Sequence, residues 1–191
     1  EPTAVERPGW RVLVGARQHL QIDILRCPLQ GHCQEVRRMK WVITERVHYD
    51  RVASCWLIKN FVDKDAQFLF ANNKTPLDSL PKGAIPLAFP GAKLGPHDDA
   101  GTLFTHILTE YKISDPALWK MEKVVTGGVR FYRQNPRPVL EDRYIQIGVG
   151  LITLADGMQL LYSDDQKRLD ASYGSWDAMY ALYKANKERT P

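Results

Sequence analysis

Two short polar clusters hold most of the side chains in this 191-residue chain that could do chemistry. The first is Arg46-Val47-His48-Tyr49-Asp50-Arg51, lying between a β-rich run and a helical one. A helix N-terminus presents unpaired N–H groups and the positive end of its dipole, so it attracts anions. Arg46 and Arg51 would add charge-assisted donors for an oxyanion or a carboxylate, and Asp50 would hold them in place. His48 is the proton carrier nearest to them. The alternative is a capped helix with a surface ion pair, and the residues alone leave both open. The second cluster is His97-Asp98-Asp99, with His106 nine residues beyond His97. Imidazole beside carboxylate suits a divalent metal (zinc, manganese or iron) or acid–base work near neutral pH. His97, Asp99 and His106 are the candidate metal ligands. A solvated polar loop, with His106 a half-buried helix residue, is the competing account.

Cys55 follows the first cluster inside the apolar run Ser54-Cys55-Trp56-Leu57-Ile58. That setting favours a buried structural thiol over a nucleophile. Cys27, His32 and Cys33 form C-x4-H-C, a spacing that departs from the usual zinc patterns, so free thiols and a surface histidine are expected. The chain has no glycine-rich phosphate loop, no G-x-S-x-G and no H-E-x-x-H.

The elements that must position these residues follow from periodicity. Lys40–Glu45 reads as a strand. Asp50 caps a helix over Arg51–Val62, which Asp63–Asp65 ends. Gln67–Ala71 is a second strand, and Asn72–Gly83 is a loop. Ala84–Phe89 is a third strand, with Pro86 placing it at an edge. Pro90–Gly101 is a long turn-rich loop, the kind of segment a rigid scaffold uses to carry function. From Thr102 the apolar residues Leu103, Phe104, Ile107, Leu108 and Tyr111 recur at helical spacing. Ser114 or Asp115 with Pro116 starts a helix through about Val125, which Gly127-Gly128 stops. Ile145–Leu161 is a buried helix, Ser163-Asp164-Asp165 opens a short one and Ser175 opens the last. The fold class expected is α+β: a small mixed sheet of about three strands with five to six helices and a helical C-terminal half.

Composition narrows the setting. The chain is 44% hydrophobic and 25% charged, so it is able to collapse. No run of about 18 uninterrupted apolar residues marks a membrane span. Three cysteines are too few for a disulfide framework, which points to a reducing cytoplasm. The 26 Lys+Arg against 22 Asp+Glu give +4. Over residues 39–191 the balance is 20 against 18, too even for a nucleic-acid field. The expected partner is a small anion, and a homo-oligomer stays open. The 38 residues before Met39 have no sustained period and no secretory h-region. They read as an accessory extension, a remnant of an upstream domain, or sequence ahead of a natural start at Met39.

From Met39 onward the residues resemble a known family. MKWVITERVHYDRVASCWLIKNFVDKDAQFLFA is similar to the opening of the ChrB-type chromate-resistance domain. Ile85-Pro86, Pro90-Gly91-Ala92, Leu94-Gly95, His97, Phe104, Asp115-Pro116-Ala117-Leu118, Gly150-Leu151, Asp164-Asp165 and Asp177-Ala178-Met179-Tyr180-Ala181 follow in the family's order. The resemblance covers about residues 39–184. It implies a chromate-responsive regulator or accessory protein, and chromate, a dianionic oxyanion, suits Arg46, Asp50 and Arg51. It also raises the weight on His97. The sequence departs from the family near Thr102 and Thr105, where relatives tend to have Cys and an acidic residue. It departs again near Thr126 and Gly128, where they tend to have His and Asp.

Two functions are therefore expected. One is an accessory or sensor protein that binds an oxyanion and a divalent metal. The other is a small hydrolase, lyase or isomerase acting on an anionic organic substrate, with His48, Asp50, Arg51 and His97 as catalytic residues. Arg46, Arg51, Trp56, Phe89 and Tyr180 would line its substrate pocket.

Overall fold

The computed structural model describes residues 39–137, 140 and 142–186. The candidate Cys27/His32/Cys33 site and the rest of the N-terminal 38 residues lie outside the described residues. Three strands, β1 (Lys40–Thr44), β2 (Gln67–Ala71) and β3 (Ile85–Leu87), form one sheet in the order β2-β1-β3. Both pairings are parallel, with Trp41 opposite Phe68 on one side and Ile85 on the other. The sheet is thus not mixed. The helical crossover between β1 and β2 returns the chain in the same direction, and the long loop before β3 does so again. Trp41, Val42, Ile43 and Thr44 are all buried. A central parallel strand covered on both faces needs such a continuous run rather than alternation. Pro86 sits on the edge strand, where its missing N–H costs no ladder bond.

Five helices complete the domain: α1 (Tyr49–Leu57), α2 (Leu103–Glu110), α3 (Pro116–Arg133), α4 (Arg143–Leu161) and α5 (Asp165–Lys184). The α+β architecture and the helical C-terminal half are as the sequence leads one to expect. α1 passes into a π-helical turn, Ile58–Val62, before Asp63 stops it. Aspartates cap the later helices: Asp115 accepts from Ala117 N, Asp142 from Tyr144 N and Asp164 from Lys167 N.

Two boundaries differ from expectation. α3 does not stop at Gly127-Gly128 but runs through them to Arg133. These glycines are contact points, not breakers. A Cβ on Gly127 would lie 3.2 Å from the Ile145 backbone, and one on Gly128 would lie 2.8 Å from the Tyr49 ring. The second difference is that the final two helices are one. Leu169, Trp176, Met179 and Tyr183 fall on a single buried face, and that seam carries α5 through Gly174 and Ser175.

α4 is the helix among the described residues that is long and apolar enough to cross a membrane by length and composition, with a mean hydropathy of 1.3 over its best window. Its polar residues break that stretch into shorter apolar runs. Its closest approach to α3 is at Gly148, where a Cβ would meet Gly128 N and Val124 O at 2.7 Å.

This crossing makes a direct prediction. Gly148→Ala drives a methyl into backbone and should cost about 1–3 kcal/mol. Gly150→Ala, two residues further along α4 with open space around it, should stabilise by roughly 0.5–1 kcal/mol. Urea denaturation of the two variants checks the opposite signs.

Candidate functional site

The β1–α1 turn, residues 44–48, is fixed from two sides. On its carbonyl side lies Arg51, whose guanidinium donates to Thr44 O (3.1 Å), Thr44 Oγ1 (2.8 Å), Glu45 O (2.9 Å) and Arg46 O (2.9 Å). On its amide side lies Asp165 of α5, which accepts from Arg46 N and Val47 N, both at 2.8 Å. Arg168 pairs with Asp165 and also donates to Val47 O and to Tyr162 O. Arg168 is only 5% exposed. Held this way, Arg46 takes a left-handed backbone, φ 56°. Such strain persists only where surroundings over-determine it.

Asp50 does not cap its own helix. α1 starts two residues earlier, at Tyr49, with His48 at the N-cap and no side-chain cap. The Asp50 carboxylate instead accepts from Leu103 N (3.3 Å), Phe104 N (3.4 Å) and Ser54 Oγ (3.4 Å). Thr102 and Thr105 supply a capping box to the same helix start. The orphan amides of the α2 N-terminus are therefore satisfied, while those of α1 are left for something else. Burial pushes the Asp50 carboxyl upward, against the backbone N–H groups of Leu103 and Phe104.

The first turn of α1 opens onto a cavity of about 510 Å³. His48, Asp50, Arg51 and His97 all line it, so the loop histidine meets the cluster at the start of α1. Burial lowers both imidazole pKa values. His97 is pushed down further by Arg133 and Arg51, and His48 is partly restored by Asp156, whose Oδ1 lies 2.9 Å from its Nε2. Ala88, another non-glycine residue with positive φ (60°), forms part of the wall beneath His97. Arg46 lines an adjoining polar cavity of about 530 Å³, which shares His48, Arg51 and Asn73 with the first.

Other expected site residues lie elsewhere. Trp56 is buried, with its indole N–H donating to Asp177 at 2.7 Å. Tyr180 donates to Asp115 at 2.9 Å and packs with Phe61. Phe89 is buried in the core. None of the three lines the cavity at α1. The metal trio is not assembled either. His106 Nε2 meets Asp98, not Asp99, at 3.1 Å, and Asp98 is held low first by the Ala100 N–H. Among the described residues no three His, Cys, Asp or Glu side chains converge as a metal site requires. Cys55 is fully buried, and burial raises its thiol pKa well above the ordinary value, which leaves it inert.

Sequence reasoning missed Arg133, Tyr132, Asp156 and Asp165. Ending α3 at Val125 removed the first two from view. The Asp164-Asp165 pair was visible, but as a helix opening.

A family model described as ChrB, C-terminal domain matches residues 41–183. The chain belongs to the ChrB C-terminal domain family. No curated protein and no solved structure matches it significantly. Membership relates this ChrB domain to chromate resistance. Three of the four positions that the sequence resemblance sets apart, Thr102, Thr105 and Thr126, are joined around Glu122. Thr105 Oγ1 and Thr126 Oγ1 both donate to Glu122 Oε1, at 2.9 and 2.7 Å, and Thr102 Oγ1 lies 3.1 Å from Thr105 Oγ1. Gly128 faces Tyr49, whose hydroxyl donates to Val124 O.

Asp165→Asn removes the partner of a buried guanidinium and sets an amide against two N–H donors. It should cost about 3–5 kcal/mol in urea denaturation. Asp50 gives a pH signature. Its native pKa lies above the ordinary 3.8, so the native state holds the proton more tightly than the unfolded chain. Its contribution is most favourable below that value and declines as pH rises through the native pKa. Stability of the wild type relative to Asp50→Asn should therefore fall as pH rises above about 4.

Proposed function

We propose that this ChrB-type domain is a receptor for a small anion, an oxyanion of the chromate class or a carboxylate, held at the N-terminus of α1 between Arg51 and Arg133. The observation that carries this reading is the uncapped start of α1, opening onto a cavity lined by two guanidinium groups. Helix amides and arginines together make an anion site, as dipole and donors act in the same sense. The one carboxylate in the same turn, Asp50, is engaged with α2 and does not compete. A cytoplasmic setting accords with the free, buried Cys55.

A second reading is favoured by one pair, His48 and Asp156. A neutral imidazole oriented by a carboxylate is a general base. An organic anion bound at Arg51 would lose a proton to His48, with His97 returning one.

Calorimetric titration of the full chain with chromate, sulfate and acetate tests the first reading. At least one should bind, and Arg133→Ala should weaken it about tenfold. Because both imidazole pKa values are lowered, His48 and His97 are uncharged at neutral pH. Acidification protonates them and adds positive charge, so sulfate or acetate affinity should rise as pH falls below the ordinary imidazole range. His97→Ala should flatten part of that rise. No binding by any of the three or by a longer carboxylate, or an unchanged Arg133→Ala variant, rejects the assignment.

A further inference from the structure

The volume and walls of the cavity at α1 distinguish between kinds of anion. About 510 Å³ lies within the roughly 300–1,000 Å³ of pockets that enclose organic ligands. A lone tetrahedral ion would leave most of it to water. Its lining away from the charges is apolar or aromatic: Tyr49 from α1, Pro96 from the 90–101 loop, Val129 and Tyr132 from α3, and Ile152 from α4. Val129, Tyr132 and Arg133 are spaced so that the last turns of α3 set an apolar surface beside a cation. Tyr132 is 50% exposed, so its ring presents surface to water that a ligand can cover. The adjoining cavity, with Arg46, Asn72 and Gln159, also carries the carboxylates of Glu45 and Asp156 and has no comparable apolar wall.

We propose that the resident of the α1 cavity is an amphipathic organic anion. Its carboxylate lies at the start of α1 between Arg51 and Arg133, and its apolar or aromatic body lies against Val129, Tyr132 and Ile152. This rests on the small-anion reading and narrows it to organic carboxylates.

The test is calorimetric titration of the full chain with sulfate, chromate, acetate, butyrate, hexanoate, 3-phenylpropionate and the neutral 3-phenylpropanamide. Affinity should rise about fourfold for each methylene buried along the aliphatic series. 3-Phenylpropionate should bind about tenfold or more tighter than sulfate or chromate. Tyr132→Ala, at an exposed position that does not threaten folding, should remove most of the aromatic gain. A flat aliphatic series, or sulfate or chromate binding as tightly as 3-phenylpropionate, overturns the organic assignment while leaving the small-anion reading in place. Equal binding of the neutral amide, or no binding by any probe, overturns both.

Discussion

The buried pair between Asp165 and Arg168 is the interaction on which the rest of the site depends. A parallel strand must hand the chain to a helix through a turn whose backbone groups have left the ladder. Those groups are half-buried and need partners. Here the partners are charged side chains from α1 and from α5. Arg51 gathers the carbonyls, and Asp165, steadied by Arg168, gathers the amides. Ionised groups make the stronger bonds of this kind, which lets a five-residue turn hold a left-handed arginine in place. Ion pairs at this depth contribute modest net stability, so their value lies in selecting one geometry for the turn.

That geometry propagates. With the turn fixed, α1 starts at Tyr49, and Asp50 faces the first amides of α2. α2 is thereby capped from another helix, which ties the 90–101 loop to the sheet and brings His97 over the cavity. On the far wall, the tight α3–α4 crossing at Gly128 and Gly148 sets the position of Val129 and Arg133. Tyr49 joins the two halves, with its ring against Gly128 and its hydroxyl on Val124 O. The cavity is what remains between elements placed by these contacts.

The strands, the helical C-terminal half and the cluster from Arg46 to Arg51 were legible because periodicity and cap residues are local signals. His48, Asp50, Arg51 and His97, which the sequence marks as polar residues at a strand end and in a long loop, line one cavity. What was hidden is non-local. Gly127-Gly128 looks like a stop until the partner helix that needs the space is known. Asp50 looks like a local cap until α2 arrives. Arg133 has no distinguishing neighbours in the chain and becomes interesting only when α3 is extended past the glycines. Trp56, Phe89 and Tyr180 went astray because aromatic character alone does not separate a core side chain from a pocket wall.

The bonding of Arg51 has one further consequence. Its guanidinium is held by carbonyl and hydroxyl oxygens and by no carboxylate. Those neutral acceptors orient the cation, and the carboxylates of Asp50 and Asp165 act on it only through space. A guest that enters the cavity therefore breaks no ion pair of Arg51; it exchanges with the ions of the surrounding medium. Occupancy becomes a matter of ionic competition, set as much by the buffer and cellular salts as by the guest itself.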